Sequence, residues 1–135
     1  MKEICYHPIG YVENEYPDPV APDAMQDVES RIVLRPELVS GLQGLAPGQP
    51  IMILFHLHRS QGYALLQHPR GDVSQPLRGV FALRSPHRPN PIGVSIVPLL
   101  AIEGNVLHVR GLDAINGTPV LDIKPAEEHE KAYTL

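Results

Sequence analysis

RGVFALRSPHRPNPIGVS, residues 78–95, joins a short apolar run to a polar loop that holds three prolines. Each proline fixes its own φ and pushes the preceding residue toward an extended conformation. Guanidinium, imidazole and carboxamide groups on such a stiff loop predict a preorganised site for a polar ligand, whereas the alternative is a solvated, proline-rich surface loop. The polar side chains of the stretch are those of Arg78, Arg84, His87, Arg88 and Asn90.

The segments on either side are rich in Val, Ile and Leu and are separated by turn residues, a pattern typical of β-strands. Gly104-Asn105 and Asn116-Gly117 are tight-turn pairs, so the last three strands are expected to form a meander. Pro36 followed by ELVSGLQGL predicts one short helix. Many short strands with little helix favour a small barrel or a sandwich. The predicted strands cover residues 4–13, 29–34, 50–58, 62–67, 78–84, 93–103, 105–113 and 118–124.

Composition narrows the class of protein. A chain of 135 residues fits one domain with a sizeable core. The single cysteine, Cys5, forms no disulfide within the chain and fits a reducing compartment. The first ten residues lack the apolar region of a signal peptide, and the longest nearly apolar stretch, residues 93–102, is too short to span a bilayer. We therefore expect a soluble, cytoplasmic protein with no membrane partner.

The charge of the chain is uneven. The net charge is −4, which argues against a protein that coats nucleic acid generally. Residues 59–88 nevertheless hold five arginines and one acid, so this segment carries +4 and the remainder carries −8. Such a local basic patch indicates a focused anionic partner, such as a phosphate, a carboxylate or a short RNA segment, with a solvated loop as the alternative. No GxGxxG is present, which argues against a doubly wound nucleotide fold.

Two further stretches contain candidate catalytic or ligand-binding residues. In FHLHRS, His56 and His58 stand two apart on a predicted strand and so share a face. They are either hydrogen-bonded histidines at a strand end or, with His68, the ligands of a cupin-like metal site. In GLDAINGTPVLDIKP, residues 111–125, turn chemistry explains Asn116 well and Asp113 less well.

The order of three stretches resembles the motifs of the TrmO/TsaA-like family. They are PIG at 8–10, RGVFALRSPHRPNPIGVS at 78–95 and LDAINGTPVLDIKP at 112–125, so the likeness runs from His7 to Pro125. Members of this family are single-sheet β-barrel methyltransferases that use S-adenosylmethionine. The bacterial prototype N6-methylates threonylcarbamoyl-adenosine beside the tRNA anticodon. For this chain the resemblance implies a mainly β, single-sheet small barrel with one short helix. It also implies methyl transfer from S-adenosylmethionine.

The same resemblance implies where the cofactor lies. His58 and Arg59 occupy the place of a His-Gln pair that holds the methionine or adenosine part. Residues 112–115 match a strand-end segment that lines the adenosine, and Ile96 matches an apolar residue that walls the pocket. The implied cofactor-binding residues are Pro22, Asp23, His58, Arg59, Arg84, Ile96, Leu112, Asp113, Ala114 and Ile115.

The chain also departs from the family pattern. The usual Arg-Gln of the early loop is Asp23-Ala24 here, and the usual Asp-Gly turn is Asn116-Gly117. The tyrosine that often follows DIKP is Ala126. We expect residues 1–135 to form one barrel domain without the C-terminal domain of longer members. Because family members are dimers with this site near the subunit boundary, a homodimer is implied.

Methyl transfer from a sulfonium requires no metal and depends mainly on proximity and orientation. Asp113 and His58 are the candidate general bases. The alternatives are a methyltransferase of the same fold for a small molecule or protein, a cupin-like metal enzyme and a non-catalytic sensor of the adenosyl ligand. We expect tRNA as the methyl acceptor, with Arg78, His87, Arg88 and Asn90 facing it.

Overall fold

A computed structural model describes residues 1–133, except for the side chains of Pro22 and residues 131–133. Six antiparallel strands close into one barrel in the order β1-β2-β7-β6-β3-β8, and two short strands, β4 and β5, pair outside it. The strands are β1 (Gly10–Glu13), β2 (Glu29–Leu34), β3 (Pro50–His56), β4 (Leu66–Gln67), β5 (Arg78–Gly79), β6 (Ile92–Glu103), β7 (Val106–Arg110) and β8 (Pro119–Pro125). The prediction of a mainly β, single-sheet small barrel is confirmed.

The alternation of apolar and polar residues builds the core. In β2, Ser30, Ile32 and Leu34 are buried while the residues between them are half-buried. This period of two sends one set of side chains into the barrel and the other outward. Burial of each Val, Leu or Ile side chain contributes about 1.5–3 kcal/mol. The fully buried aliphatic side chains of the barrel strands are Val12, Ile32, Ile51, Ile53, Val97, Leu99, Leu107, Val109 and Val120.

Two glycines of the motifs stand where a side chain would collide. A Cβ on Gly10 would overlap the backbone carbonyl of Val33 on β2. A Cβ on Gly93 would overlap the ring of Phe55, which lies directly opposite on β3. Glycine is required at both positions because the neighbouring strand or ring approaches the backbone so closely.

The predicted short helix is present as a 3-10 helix over Pro36–Leu42, with proline in its first turn. Other 3-10 turns occupy Pro22–Met25, Pro69–Gly71, Val80–Ala82 and Glu128–Tyr133. Within residues 1–133 we find no helix with the length and apolar character needed to cross a membrane.

Several strand bounds predicted from the sequence were wrong. The first strand begins at Gly10 instead of residue 4, because Pro8 has no N–H to donate and residues 1–8 are exposed. The third ends at His56, so His58 lies beyond it. The predicted strands 62–67 and 78–84 shrink to the two-residue strands β4 and β5, and Val80–Ala82 turns into a 3-10 helix.

The predicted meander of the last three strands was also wrong. β6 and β7 do form a hairpin across Gly104-Asn105, but β7 pairs next with β2. β8 instead lies between β1 and β3. The chain crosses an end of the barrel over residues 111–118, because Gly117 N–H donates to the Val12 carbonyl of β1 and not to β7.

This topology gathers three connections at one end of the barrel, which we call the upper end. They are the β1–β2 loop (residues 14–28), the arm between β3 and β6 (residues 57–91, which contains β4 and β5) and the crossover between β7 and β8 (residues 111–118). The opposite end carries the β2–β3 connection and the β6–β7 turn. Antiparallel pairing therefore places three long, polar segments side by side.

Candidate functional site at the upper end of the barrel

The upper end collects nearly every predicted site residue. Asp23 lies on the β1–β2 loop, His58 and Arg59 begin the arm, and residues 112–115 form the crossover. Ile96 alone lies within a barrel strand, on β6, where it is half-buried between the buried Ser95 and Val97. The side chain of Pro22 lies outside the described residues.

Hydrogen bonds tie the three connections together. Arg59 donates from Nη1 to the Pro17 carbonyl at 3.2 Å and from Nη2 to Asp18 Oδ1 at 3.4 Å, which links the arm to the β1–β2 loop. The Asn116 N–H donates to the Tyr16 carbonyl at 2.8 Å and so links that loop to the crossover. The β1–β2 loop is therefore the common neighbour of both.

Side chains of the arm donate hydrogen bonds to the backbone of the proline loop. Ser60 Oγ donates to the Pro86 carbonyl and Gln67 Nε2 donates to the His87 carbonyl, each at 2.7 Å. Arg88, which is half-buried, donates from Nη1 to the Leu83 carbonyl at 2.7 Å. Part of the Arg88 guanidinium is thus used to shape the loop that was predicted to bind a ligand.

The side chains of Arg78, Arg84 and Asn90 are exposed and make no hydrogen bond or ion pair with the described residues. The His87 imidazole is also exposed, and it lines a shallow cleft of about 320 Å³ together with Gln61, Tyr63 and Gln67. The polar side-chain atoms of these residues therefore remain available to a partner.

The crossover presents an open backbone edge. Leu112 and Ala114 are buried in the core, whereas Asp113 and Ile115 are half-buried. No described residue pairs with the N–H groups of residues 112–115 or with the carbonyls of Leu112 and Asp113. Half-buried backbone groups are normally paired, so this run of donors and acceptors is suited to a ligand that has both.

Asp113 lies in the same open segment. Burial raises the pKa of the Asp113 carboxyl above its ordinary value of 3.8, and no hydrogen bond or ion pair from a described residue offsets it. A half-buried carboxylate without a partner favours a positive group nearby.

His58 was predicted to lie on a strand, and this prediction was wrong. It is exposed in the turn after β3, where its N–H donates to the His56 carbonyl at 2.8 Å. Partial burial, followed by the charge of Arg59 and by His56, lowers the pKa of the His58 imidazole. The ring is therefore neutral at physiological pH, which is the form that accepts a proton.

The cupin-like metal alternative receives no support. His68 Nδ1 lies 2.7 Å from the Gln75 carbonyl on the arm. Over residues 1–133, no three His, Cys, Asp or Glu side chains are grouped closely enough to hold a metal ion. His56, His58 and His68 thus do not form the predicted alternative site.

Sequence reasoning missed Asn14, the residue that follows β1. Its side chain is 8% exposed and joins β2 to the crossover by hydrogen bonds. A lone polar residue after a strand resembles an ordinary turn residue in sequence, so no local signal identifies it. The burial of Met25, which is 1% exposed, was also missed, because the loop around it is polar and indicates exposure.

Comparison with known proteins gives a consistent family. Residues 11–129 match the model of the tRNA-methyltransferase O N-terminal domain. A probable S-adenosyl-L-methionine-binding protein of Methanothermobacter thermautotrophicus is 40% identical over 129 residues, covering 93% of this chain and 92% of that protein. The human tRNA (adenine(37)-N6)-methyltransferase is 37% identical over 135 residues, covering 90% of this chain and 30% of that protein.

A solved structure shares the fold. The crystal structure of TrmO from Pseudomonas aeruginosa superposes with a TM-score of 0.71 at 32% sequence identity, covering 97% of this chain and 59% of that one. The chain thus spans nearly all of the archaeal relative, about three fifths of the bacterial structure and less than a third of the human enzyme.

Proposed function

Because the chain belongs to the family of the tRNA-methyltransferase O N-terminal domain, we propose that it binds S-adenosylmethionine at the upper end of its barrel and methylates N6 of threonylcarbamoyl-adenosine in tRNA. The name of the archaeal relative supports the cofactor, and the name of the human relative supports the acceptor.

One observation carries the cofactor proposal: the open backbone edge of the crossover. An adenine ring has a donor and an acceptor side by side, and the unpaired N–H and carbonyl groups of residues 112–115 complement such an edge. The buried side chains of Leu112 and Ala114 anchor this segment in the core. The N–H groups of residues 112–115 and the carbonyls of Leu112 and Asp113 thus stay unpaired among the described residues while the segment is held on the barrel.

Charged groups at the same end of the barrel complement the rest of the cofactor. The guanidinium of Arg84, which has no partner among the described residues, suits the carboxylate of the methionine part. Arg59 suits the same group, at the cost of loosening its long contact with Asp18. The Asp113 carboxylate suits the positive ammonium or sulfonium. Ile96, Pro22 and Asp23 complete the proposed pocket.

When bound, S-adenosylmethionine supplies an activated methyl group that leaves a neutral thioether. The chain's own contribution is to hold the acceptor in line and to remove a proton from the acceptor nitrogen. The neutral His58 imidazole is one candidate base, and the Asp113 carboxylate, whose raised pKa also makes it more basic, is the other.

The proposed tRNA surface lies on the arm. Residues 59–88 carry a net charge of +4 on an otherwise acidic chain, which attracts the phosphate backbone. Arg78 and His87 present exposed side chains in this segment, as does Asn90 just beyond it, and Arg88 keeps part of its guanidinium for the same surface. These are the residues proposed to contact the acceptor.

The arm also carries an apolar surface, and we assign it to a second copy of the chain. Phe81 and Val73 are each 80% exposed. Ile92 and Val94, at the start of β6, are also exposed. Exposed apolar side chains of this kind are typical of an interface, and those of the arm share a segment with its arginines. A second copy seated there would bring two sites near one subunit boundary. The other exposed apolar side chains of the arm are Tyr63, Leu65, Leu66 and Leu77.

Transfer of a tritium-labelled methyl group from S-adenosylmethionine tests the proposal. The acceptor is tRNA that carries threonylcarbamoyl-adenosine without the N6-methyl group, and the matched control is tRNA without the threonylcarbamoyl group. We expect label in the first tRNA alone. Cofactor binding with no label in either tRNA overturns the tRNA acceptor, and label in a tRNA-free extract assigns the activity to a small molecule or protein. Binding without any transfer identifies a sensor.

Light scattering coupled to gel filtration tests the second copy. The parent chain is expected to elute with the mass of a dimer, and Phe81→Ser is expected to shift it toward the monomer. Leu38→Ser, a change of an exposed apolar residue on the 3-10 helix at the opposite end, is the matched control. A parent chain of monomer mass at tens of micromolar would overturn the dimer.

A further inference from the structure

Asn14 makes more hydrogen bonds at the upper end of the barrel than any described residue of the three motif stretches. Its Nδ2 donates to Ser30 Oγ on β2 and to the Ala114 carbonyl of the crossover, both at 2.9 Å. Its Oδ1 accepts from the Tyr16 N–H at 3.0 Å. Its own N–H donates to Asn116 Oδ1, also at 3.0 Å. One buried side chain thus joins β2, the β1–β2 loop and the crossover.

The bond to Ala114 has a consequence for the open edge. The chain contains no cis peptide among its described residues, so the Ile115 N–H points opposite to the Ala114 carbonyl. Fixing that carbonyl on Asn14 therefore aims the unpaired Ile115 N–H away from the barrel strands β1 and β2. The Ile115 carbonyl is fixed separately by Thr118, whose Oγ1 donates to it at 2.7 Å.

We propose that Asn14 is a positioning residue for the adenosyl ligand: it sets the orientation of the peptide between Ala114 and Ile115 and so the direction of the donor that the ligand meets. This inference rests on the proposed function for the identity of the ligand, although the orientation of the peptide is a property of the free chain. Asn14 itself touches no ligand in this account.

Two variants separate the positioning role from a general structural one. Asn14→Asp keeps the size and the acceptor for Tyr16 but places a carboxylate oxygen against the Ala114 carbonyl, which it repels. The Ser30 hydroxyl can still satisfy that carboxylate by turning to donate. Ser30→Ala is the matched control, because it removes a buried hydrogen bond of Asn14 and leaves the bond to Ala114 intact. Both variants should lower the melting temperature.

Hydrogen exchange of the ligand-free chain is the first test. We expect Asn14→Asp to speed exchange at least tenfold in a peptide that covers residues 111–118, and Ser30→Ala to change it less than threefold. Equal exchange in Asn14→Asp and the parent would overturn the inference, whatever the chain binds. Equal acceleration by both variants, in proportion to their loss of stability, would also overturn it.

Calorimetric titration with S-adenosylhomocysteine and with 5′-methylthioadenosine is the second test. Because the proposed contact is with the adenosine part, Asn14→Asp should weaken both ligands at least tenfold, and Ser30→Ala should weaken each less than twofold. Weakening of S-adenosylhomocysteine alone would contradict the positioning role. A parent chain that binds neither ligand would refute the proposed function instead, and the exchange result would still decide the orientation of the peptide.

Discussion

The barrel and the arm of this protein follow opposite rules. In the barrel, strands of up to 12 residues alternate inward and outward, and their aliphatic side chains close one core. In the arm, residues 57–91, the two strands have two residues each, and Val80 is the only buried side chain. The barrel buries its aliphatic side chains in one core, whereas the arm leaves Phe81 and Arg84 exposed to solvent.

This contrast indicates that the barrel provides stability and that the arm provides groups for binding. A closed sheet has no unpaired edge and needs no partner. The arm keeps its shape through side chain to backbone bonds and prolines, so its exposed arginines and apolar groups are not needed to hold it together. The open edge of the crossover has the same character, since buried side chains and the bonds to the Ala114 and Ile115 carbonyls anchor it, while its N–H groups stay unpaired among the described residues. Substitutions in the two regions should therefore separate stability from binding.

The largest expected effect is on the barrel. Gly10→Ala should destabilise the chain by about 3 kcal/mol, because the added Cβ meets the Val33 carbonyl, which belongs to the backbone of β2 and cannot move aside. Chemical denaturation measures the change. Gly41→Ala is the control, since nothing lies within 4 Å of its Cβ and its φ is not positive. Equal stability of the two variants would contradict the packing described for β1 and β2.

The next largest effect is expected for a substitution in the arm, and it changes the affinity for the cofactor without changing stability. Arg84→Lys should weaken S-adenosylmethionine by about tenfold, because the ammonium of lysine cannot form the paired hydrogen bonds of a guanidinium with a carboxylate. Its melting temperature should match that of the parent, since Arg84 has no partner among the described residues. Arg70→Lys, another exposed arginine of the arm, is the matched control for titration. Equal affinities of the two variants would remove Arg84 from the pocket.

A smaller effect is expected for a substitution of Asp113, which should raise stability at pH 7 and lower activity. Burial raises the pKa of Asp113, so the folded chain keeps this proton to a higher pH than the unfolded chain does. The stability of the parent therefore falls as pH rises from the ordinary value of 3.8 through the raised one. Asp113→Asn should melt slightly above the parent at pH 7 and together with it near pH 3.

The same variant should lower methyl transfer, because it removes the charge proposed to face the cofactor cation. Melting curves across pH and activity at pH 7 give the two readouts. A loss of stability at pH 7 would show that the Asp113 carboxylate has a stabilising partner, contrary to the described geometry.

The smallest effect is at the junction of the arm and the β1–β2 loop. Asp18→Asn should cost less than about 0.5 kcal/mol, because its contact with Arg59 is long and exposed, and such surface pairs contribute little. The cofactor affinity should stay the same or rise slightly, since the Arg59 guanidinium is released. A loss of affinity beyond threefold would assign Asp18 a place in the site.

The sequence predicts the fold where period and turn chemistry act locally. The alternation of β2 and the pair Gly104-Asn105 placed a strand and a hairpin correctly. The meander failed because strand pairing is decided across the barrel, where Gly117 bonds to Val12, at a separation that no local pattern reports. The apolar residues of the arm suggested strands 62–67 and 78–84, but they belong to an exposed surface.

The site divides in the same way. The motif residues Arg84 and Asp113 were named from the sequence, and the structure brings their loops to one end of the barrel. Asn14 could not be predicted, since its partners Ser30 and Ala114 are 16 and 100 residues away in sequence. The alternative in which His56, His58 and His68 bind a metal receives no support, because no three His, Cys, Asp or Glu side chains of residues 1–133 are grouped closely enough to hold an ion.

Hydrogen exchange of the whole chain with and without S-adenosylmethionine locates the cofactor site. We expect slower exchange in the crossover, the arm and the β1–β2 loop, with the strongest protection over residues 112–115. Exchange at the opposite end of the barrel, in residues 35–49, should stay unchanged. Absence of protection at saturating cofactor, or protection confined to residues 35–49, would contradict the assignment of the upper end as the cofactor site.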